Sequence, residues 1–237
     1  MMNCEKPLVF SKFLKSIWLT NVKDYYIKKR TILINIGIEA TVIKSTEPCK
    51  SLAPRTSTIL QDVTVQSADS VVLVEIEDER DISGCVLENG WHHLNELFPS
   101  FPKHVSLYKS PQFEVGKVSF DPFHAVGQSE GVNLNKVREH QVKVNVWFCP
   151  TNTHCRLHNK HSDPEILEVH TQIYGTGRMQ KFHSEDFSSL YEDVVMSPGM
   201  THVPFCGIHD NGEYYYGWHQ YYGDTDCIWM AIEYHPL

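Results

Sequence analysis

The chain has 237 residues, 41% of them hydrophobic, enough to bury the core of one large domain or of two small ones. Its 21 basic and 29 acidic residues give a formal net charge of -8 without a basic cluster, which argues against nucleic acid and leaves a small molecule as the expected partner. Seven cysteines (Cys4, Cys49, Cys85, Cys149, Cys155, Cys206, Cys227) are scattered without a CxxC pair, so neither a disulfide framework nor a thiolate zinc site is expected and the cytoplasm is the simplest location.

Between Met1 and Leu19 the charges of Glu5, Lys6, Lys12 and Lys15 interrupt the apolar residues, so no signal peptide and no membrane association are expected. A membrane span would need roughly 20 apolar residues. Phe10, Phe13, Leu14, Ile17 and Trp18 recur at helical spacing and predict a short amphipathic helix. Thr31–Lys44, Ser57–Gln66 and Ser70–Glu77 are rich in β-branched residues and predict three strands. Trp91–Phe98 suits two helical turns stopped by Pro99 and Pro102, with His92 and His93 at the surface. Ser110–Leu134, with its prolines and glycines, reads as a connecting segment.

From His140 onward the strand pattern becomes dense. His140–Phe148, His154–His158, Ile166–Tyr174, Arg178–Phe182, Asp193–Met196, His202–Cys206, Glu213–Tyr222 and Cys227–His235 are all candidate strands. Short strands separated by Gly, Pro, Asn and Asp suit a sandwich or closed barrel. The division expected is an N-terminal β-rich region over residues 1–139, a sheet extension or degenerate second barrel, followed by a barrel over 140–237.

Histidines and a carboxylate concentrate in this second region: His158, His161, Glu168, His170 and His202, among Gly175, Gly177, Pro198 and Gly199. On a strand over 166–174, Glu168, His170, Gln172 and Tyr174 share one face and Leu167, Val169, Thr171 and Ile173 the other, so the polar row is expected to face a barrel interior. Imidazole and carboxylate together suit one divalent transition metal.

Two motifs carry a family resemblance. His161-Ser-Asp163-Pro164-Glu-Ile-Leu-Glu168, with Gly175 beyond a six-residue gap, and Pro198-Gly199-Met-Thr-His202 resemble the two metal-binding motifs of the cupin superfamily. Asp163 stands in place of a second histidine, Cys155 in place of the leading glycine and Cys206 in place of the final asparagine.

The resemblance implies a mainly β, double-stranded β-helix (jelly-roll) fold with few short helices. It also implies metal ligands at His161, Glu168 and His202, with His158 or His170 completing the set and Asp163 as a third candidate. The metal implied is Fe(II), with Mn, Ni, Cu or Zn compatible with the same ligands.

The activity implied is that of a metal-dependent enzyme acting on a small molecule, first a non-haem iron oxygenase (dioxygenase). A metal-assisted sugar or carbonyl isomerase, epimerase or dehydratase is the second reading, and a non-catalytic ligand-binding cupin the third. His219, in the aromatic run Tyr214–Tyr222, is the expected proton-transfer residue. Gln172, Arg178 and Trp218 are the expected substrate contacts. A homodimer is left open.

Overall fold

Strands are the main regular structure of this chain, seen in a computed structural model that describes residues 3–44, 48 and 50–237. Cys49 lies outside the described residues. The other six cysteines are free thiols, exposed at Cys4 and buried at Cys85, Cys149, Cys155, Cys206 and Cys227.

The N-terminal sheet comprises β1 (Cys4–Ser11), β2 (Leu14–Ile27), β3 (Thr31–Asn35), β4 (Thr41–Ile43), β5 (Lys50–Leu52), β6 (Ser57–Leu60) and β7 (Val63–Ile76). Its order is β1-β2-β7-β3-β6, with β4 joined to β7 and β5 to β4. The helix expected around Phe10–Trp18 is instead the antiparallel pair β1 and β2, with Pro7 opposite Ile17. The reason is burial on both faces of β2. Leu14 belongs to a core shared with the C-terminal half, whereas Leu19 and Val22 belong to the sheet's own core, and apolar residues on two faces imitate helical spacing.

Next come β8 (His92–His93), the single turn α1 (Leu94–Leu97), β9 (Tyr108–Lys109), β10 (Phe113–Phe120) and α2 (Pro122–Ala125). The helix expected over Trp91–Phe98 is thus only α1. The expected connector contains a full strand, β10, which pairs with the strand that follows it.

The remaining strands are β11 (Arg138–Cys149), β12 (Thr153–His154), β13 (Leu167–Tyr174), β14 (Gly177–Phe182), β15 (Leu190–Met196), β16 (Gly207–Ile208), β17 (Tyr214–Tyr215), β18 (Trp218–Gly223) and β19 (Cys227–Pro236). One sheet runs β13-β19-β11 and continues through β9 and β10, and the other runs β12-β18-β14-β15. The expected strands at His154–His158 and His202–Cys206 are mostly irregular, and single bridges, His158 to His219 and Thr171 to Thr201, take their place. That second bridge sets the 199–202 segment beside β13, so from β11 onward the chain passes back and forth between the two sheets, with the β14–β15 hairpin staying in one of them. The fold is a jelly roll. Because β9 and β10 hydrogen-bond with β11, sheet pairing crosses the 139/140 division.

β19 shows how the layers are stacked. Ile228, Met230, Ile232 and Tyr234 pack with Leu8, Ile34 and Val72 of the N-terminal sheet, while Cys227 and Trp229 pack with Met179 and Tyr221 of the opposite sheet. The Tyr234 hydroxyl also donates to the carbonyl of Ile36 across the first interface, at 3.2 Å. The order is therefore N-terminal sheet, central sheet and outer sheet, and the barrel interior lies between the last two.

Two residues fix this arrangement in testable ways. Gly175, in the β13–β14 turn, has φ of 73°, and a Cβ there would meet the Asp226 carbonyl oxygen at 1.9 Å. Gly175→Ala is expected to cost about 2–4 kcal/mol in urea denaturation, from left-handed strain plus a backbone clash.

His140 is buried, stacks on Phe120 with ring centroids 4.2 Å apart and lies 2.9 Å from the Tyr214 hydroxyl. Burial pushes its pKa down to about 4. The unfolded chain, titrating near 6.5, takes the proton first. The stability that neutral His140 contributes is therefore complete above about pH 6.5 and is lost as pH falls towards 4. The urea midpoint should fall through that window with a shallower slope in His140→Gln.

Candidate metal centre

β13 turns its polar row inward because its other face is claimed by the core. Leu167, Val169 and Ile173 pack against the N-terminal sheet, so Glu168 and His170 point into the barrel. There they line a cavity of about 520 Å³ together with His158, His161, Trp218 and His219, and with apolar walls that include Leu94, Phe101, Leu107, Trp147, Met179 and Trp229.

Three imidazoles, those of His158, His161 and His219, converge so that their donor nitrogens lie within 4.8 Å of one another. Two of them are held in one tautomer by their own backbone. His158 Nδ1 donates to the carbonyl of Arg156 at 3.0 Å and His219 Nδ1 to that of Gly217 at 2.9 Å, which leaves each Nε2 as a bare acceptor. His219 Nε2 faces His161 Nε2 at 3.1 Å, and His161 Nε2 is also 3.3 Å from Glu168 Oε2. Acceptors crowded in this way require a shared proton or a cation. Donor atoms on one ion at about 2.1 Å each lie at most about 4.2 Å apart, so the His161–His219 and His161–Glu168 pairs are each within reach of one ion, while Glu168 lies outside the three-imidazole group.

Electrostatics follows from this crowding. Burial pushes His158 down to about 4, helped by His161, and His219 well below its ordinary value, helped by His158. For His161 burial acts in the same direction, but Glu168 and Glu165 outweigh it and raise its pKa. Glu168 is held well below the carboxylate range, because His170 and His161 outweigh the burial that would raise it.

Glu165, which the sequence reading passed over, holds the loop in place. It accepts the backbone N–H groups of His161 and Ser162 at 3.0 and 3.2 Å and lies 3.3 Å from His161 Nδ1, turning the other ring nitrogen inward. Its spacing four residues after His161 was the available signal. A carboxylate behind a ligating imidazole fixes both tautomer and orientation.

Several expectations need correction. His202 is buried in a structural role: Nε2 accepts the His170 backbone N–H at 2.9 Å and Nδ1 donates to the Val203 carbonyl at 2.9 Å, so no ring lone pair remains for a metal. His170 stands outside the three-imidazole group and instead contacts Glu168 Oε2 through Nε2 at 3.2 Å. Of the two, His158 lies in the three-imidazole group, and so does His219, expected as a proton-transfer residue.

Asp163 is 89% exposed and faces Lys160, so it is no ligand. Gln172 is fully buried; its carbonyl accepts from the Tyr221 hydroxyl and its amide donates to the carbonyls of Tyr174 and Gly175, which leaves nothing for a substrate. Arg178 is paired with Asp193 and Asp224 at 2.9 and 2.8 Å, away from the cavity. Trp218 alone of the three expected substrate contacts lies on the cavity wall.

No family model matches the chain, and no curated protein matches it. Solved structures similar to it include a cupin 2 conserved barrel domain protein from Leptotrichia buccalis, 7% identical over 98% of this chain and 88% of that one, with a TM-score of 0.30. The Bacillus subtilis oxalate decarboxylase, described for its Mn(II) centres, is 10% identical over 98% of this chain and 72% of that one, with a TM-score of 0.32. AerE from Microcystis aeruginosa is 10% identical over 98% and 97%, with a TM-score of 0.29. The first bears the family name that the two motifs resemble. With TM-scores this low, fold and function rest on this chain's own topology and site. Among the described residues no helix is long and apolar enough to cross a membrane.

The two histidine roles separate by mutation. His202→Ala is expected to leave metal content unchanged while costing about 1–3 kcal/mol, the penalty of stranding the buried His170 N–H. That loss corresponds to a melting point lower by several degrees in a domain of this size. Loss of metal in that variant would return His202 to the ligand set.

Proposed function

We propose that this chain is a metal-dependent enzyme of the cupin type, with His158, His161, His219 and Glu168 holding one divalent transition metal and a small organic molecule bound in the adjoining cavity. The observation that carries this reading is the meeting of two bare Nε2 acceptors, those of His158 and His219, with His161 and a buried carboxylate. A bound metal would supply Lewis acidity or, as iron, redox and dioxygen chemistry.

The chain's own contribution is to hold the donors and keep water away. The carbonyls of Arg156 and Gly217 fix two imidazoles, and Glu165 holds the backbone of the third and lies 3.3 Å from its ring. Trp147, Trp229 and Phe101 wall off the space in which a substrate would lie. His170, in contact with Glu168, fixes the carboxylate that balances the ion's charge.

Non-haem iron oxygenase chemistry is our first assignment: nitrogen and oxygen ligands beside a cavity with a tryptophan-lined wall suit an organic substrate next to iron. A metal-assisted isomerase is the alternative, and its turnover would not need oxygen.

Elemental analysis of protein purified without chelator should find stoichiometric metal in the wild type and little in His219→Ala. Glu165→Gln should retain the site with affinity about 10–100-fold weaker. Equal metal content in wild type and His219→Ala would overturn the site. Substrate-dependent oxygen uptake by the iron-loaded protein would support the oxygenase, and anaerobic turnover would select the isomerase instead.

A further inference from the structure

The cavity has a second polar pole. β9 pairs with β11 so that Lys109 lies opposite Trp147, and Trp147 in turn lies opposite Trp229. The Lys109 side chain is 16% exposed, its ammonium sits 5.2 Å from the centre of the Trp147 ring, and its ion-pair contact, to Glu233 Oε1, is long at 3.9 Å.

Glu233 does not need that contact. Oε1 accepts from Asn145 Nδ2 at 2.6 Å, and Oε2 accepts from Gln112 Nε2 at 2.8 Å and lies 2.8 Å from His235 Nε2. Among the described residues, no hydrogen bond from the Lys109 ammonium is found. A largely buried ammonium with three donors and one distant counter-charge is short of an acceptor. Both Lys109 and Glu233 line the same cavity as the imidazole group. The wall between the two poles is apolar, built from Trp147, Trp229, Phe101 and Leu107.

We propose that Lys109 is the anion-binding end of this cavity, so that its ligand is an organic carboxylate whose acid group pairs with the Lys109 ammonium while an apolar body lies along the tryptophans towards the imidazole group. The inference rests on the proposed function in taking this cavity as the substrate site. A wholly polar anion such as inorganic phosphate would strand the aromatic wall, and a wholly apolar ligand would leave the ammonium unanswered. A carboxylate supplies the missing acceptor and keeps the wall dry.

Calorimetric titration with 3-phenylpropanoate and its neutral counterpart 3-phenylpropanol tests this, on metal-loaded and chelator-treated protein. The acid should bind about tenfold more tightly than the alcohol in both preparations, as expected of a charge-assisted pair. Lys109→Met should remove that preference by weakening the acid alone, and Lys109→Arg should keep it, with thermal melts showing both variants folded. Equal binding of acid and alcohol, no binding of either, or an unchanged preference in Lys109→Met would overturn the proposal.

A preference that disappears on metal removal while Lys109 is intact would also overturn it, placing the carboxylate on the metal and leaving the proposed function standing. A preference that depends on Lys109 in protein that binds no metal would sustain the inference while the metal reading falls.

Discussion

A carboxylate buried inside a barrel must be answered by positive charge or by donors, and Glu168 imposes that condition here. Taking such a group out of water costs several kcal/mol unless partners surround it. The partners are His161 and His170, both near 3.3 Å or closer. Once they are in place, His219 and His158 have to approach with lone pairs forward, because their Nδ1 hydrogens are committed to backbone carbonyls. The three imidazoles are arranged so that they could hold a cation.

The three-layer arrangement makes Glu168 face inward in the first place. β13 and β19 each give one face to the N-terminal sheet, so the opposite side chains have nowhere to point but the barrel. The N-terminal sheet thereby sets the orientation of the site, although none of its residues lines the cavity. It also supports the second motif directly: Ser57 Oγ donates to the Gly199 carbonyl at 2.8 Å, and a Cβ on Gly199 would meet Ile59 at 2.6 Å.

Legibility varied with the range of the interaction. The alternation of β13 was readable because one of its faces is polar, and it places Glu168 on the cavity side, seven residues after His161 in the preceding loop. β2 was misread because its apolar residues serve two cores. His202 was misassigned because a buried histidine that hydrogen-bonds the backbone and one that holds a metal look alike in sequence. His219 and Lys109 entered the cavity through strand neighbours far away in the chain, opposite Lys181 and Trp147.

Period-two patterning and turn residues were enough to establish a mainly β chain, and local motif spacing drew attention to the histidines and carboxylate of residues 158–170, because each depends on residues close together along the backbone. Which imidazoles meet, which one is merely structural, and where the Lys109 ammonium enters the cavity depended on the register of strands brought together across the two sheets. A shift of one residue in that register turns every side chain to the opposite face, and it is set by packing between layers.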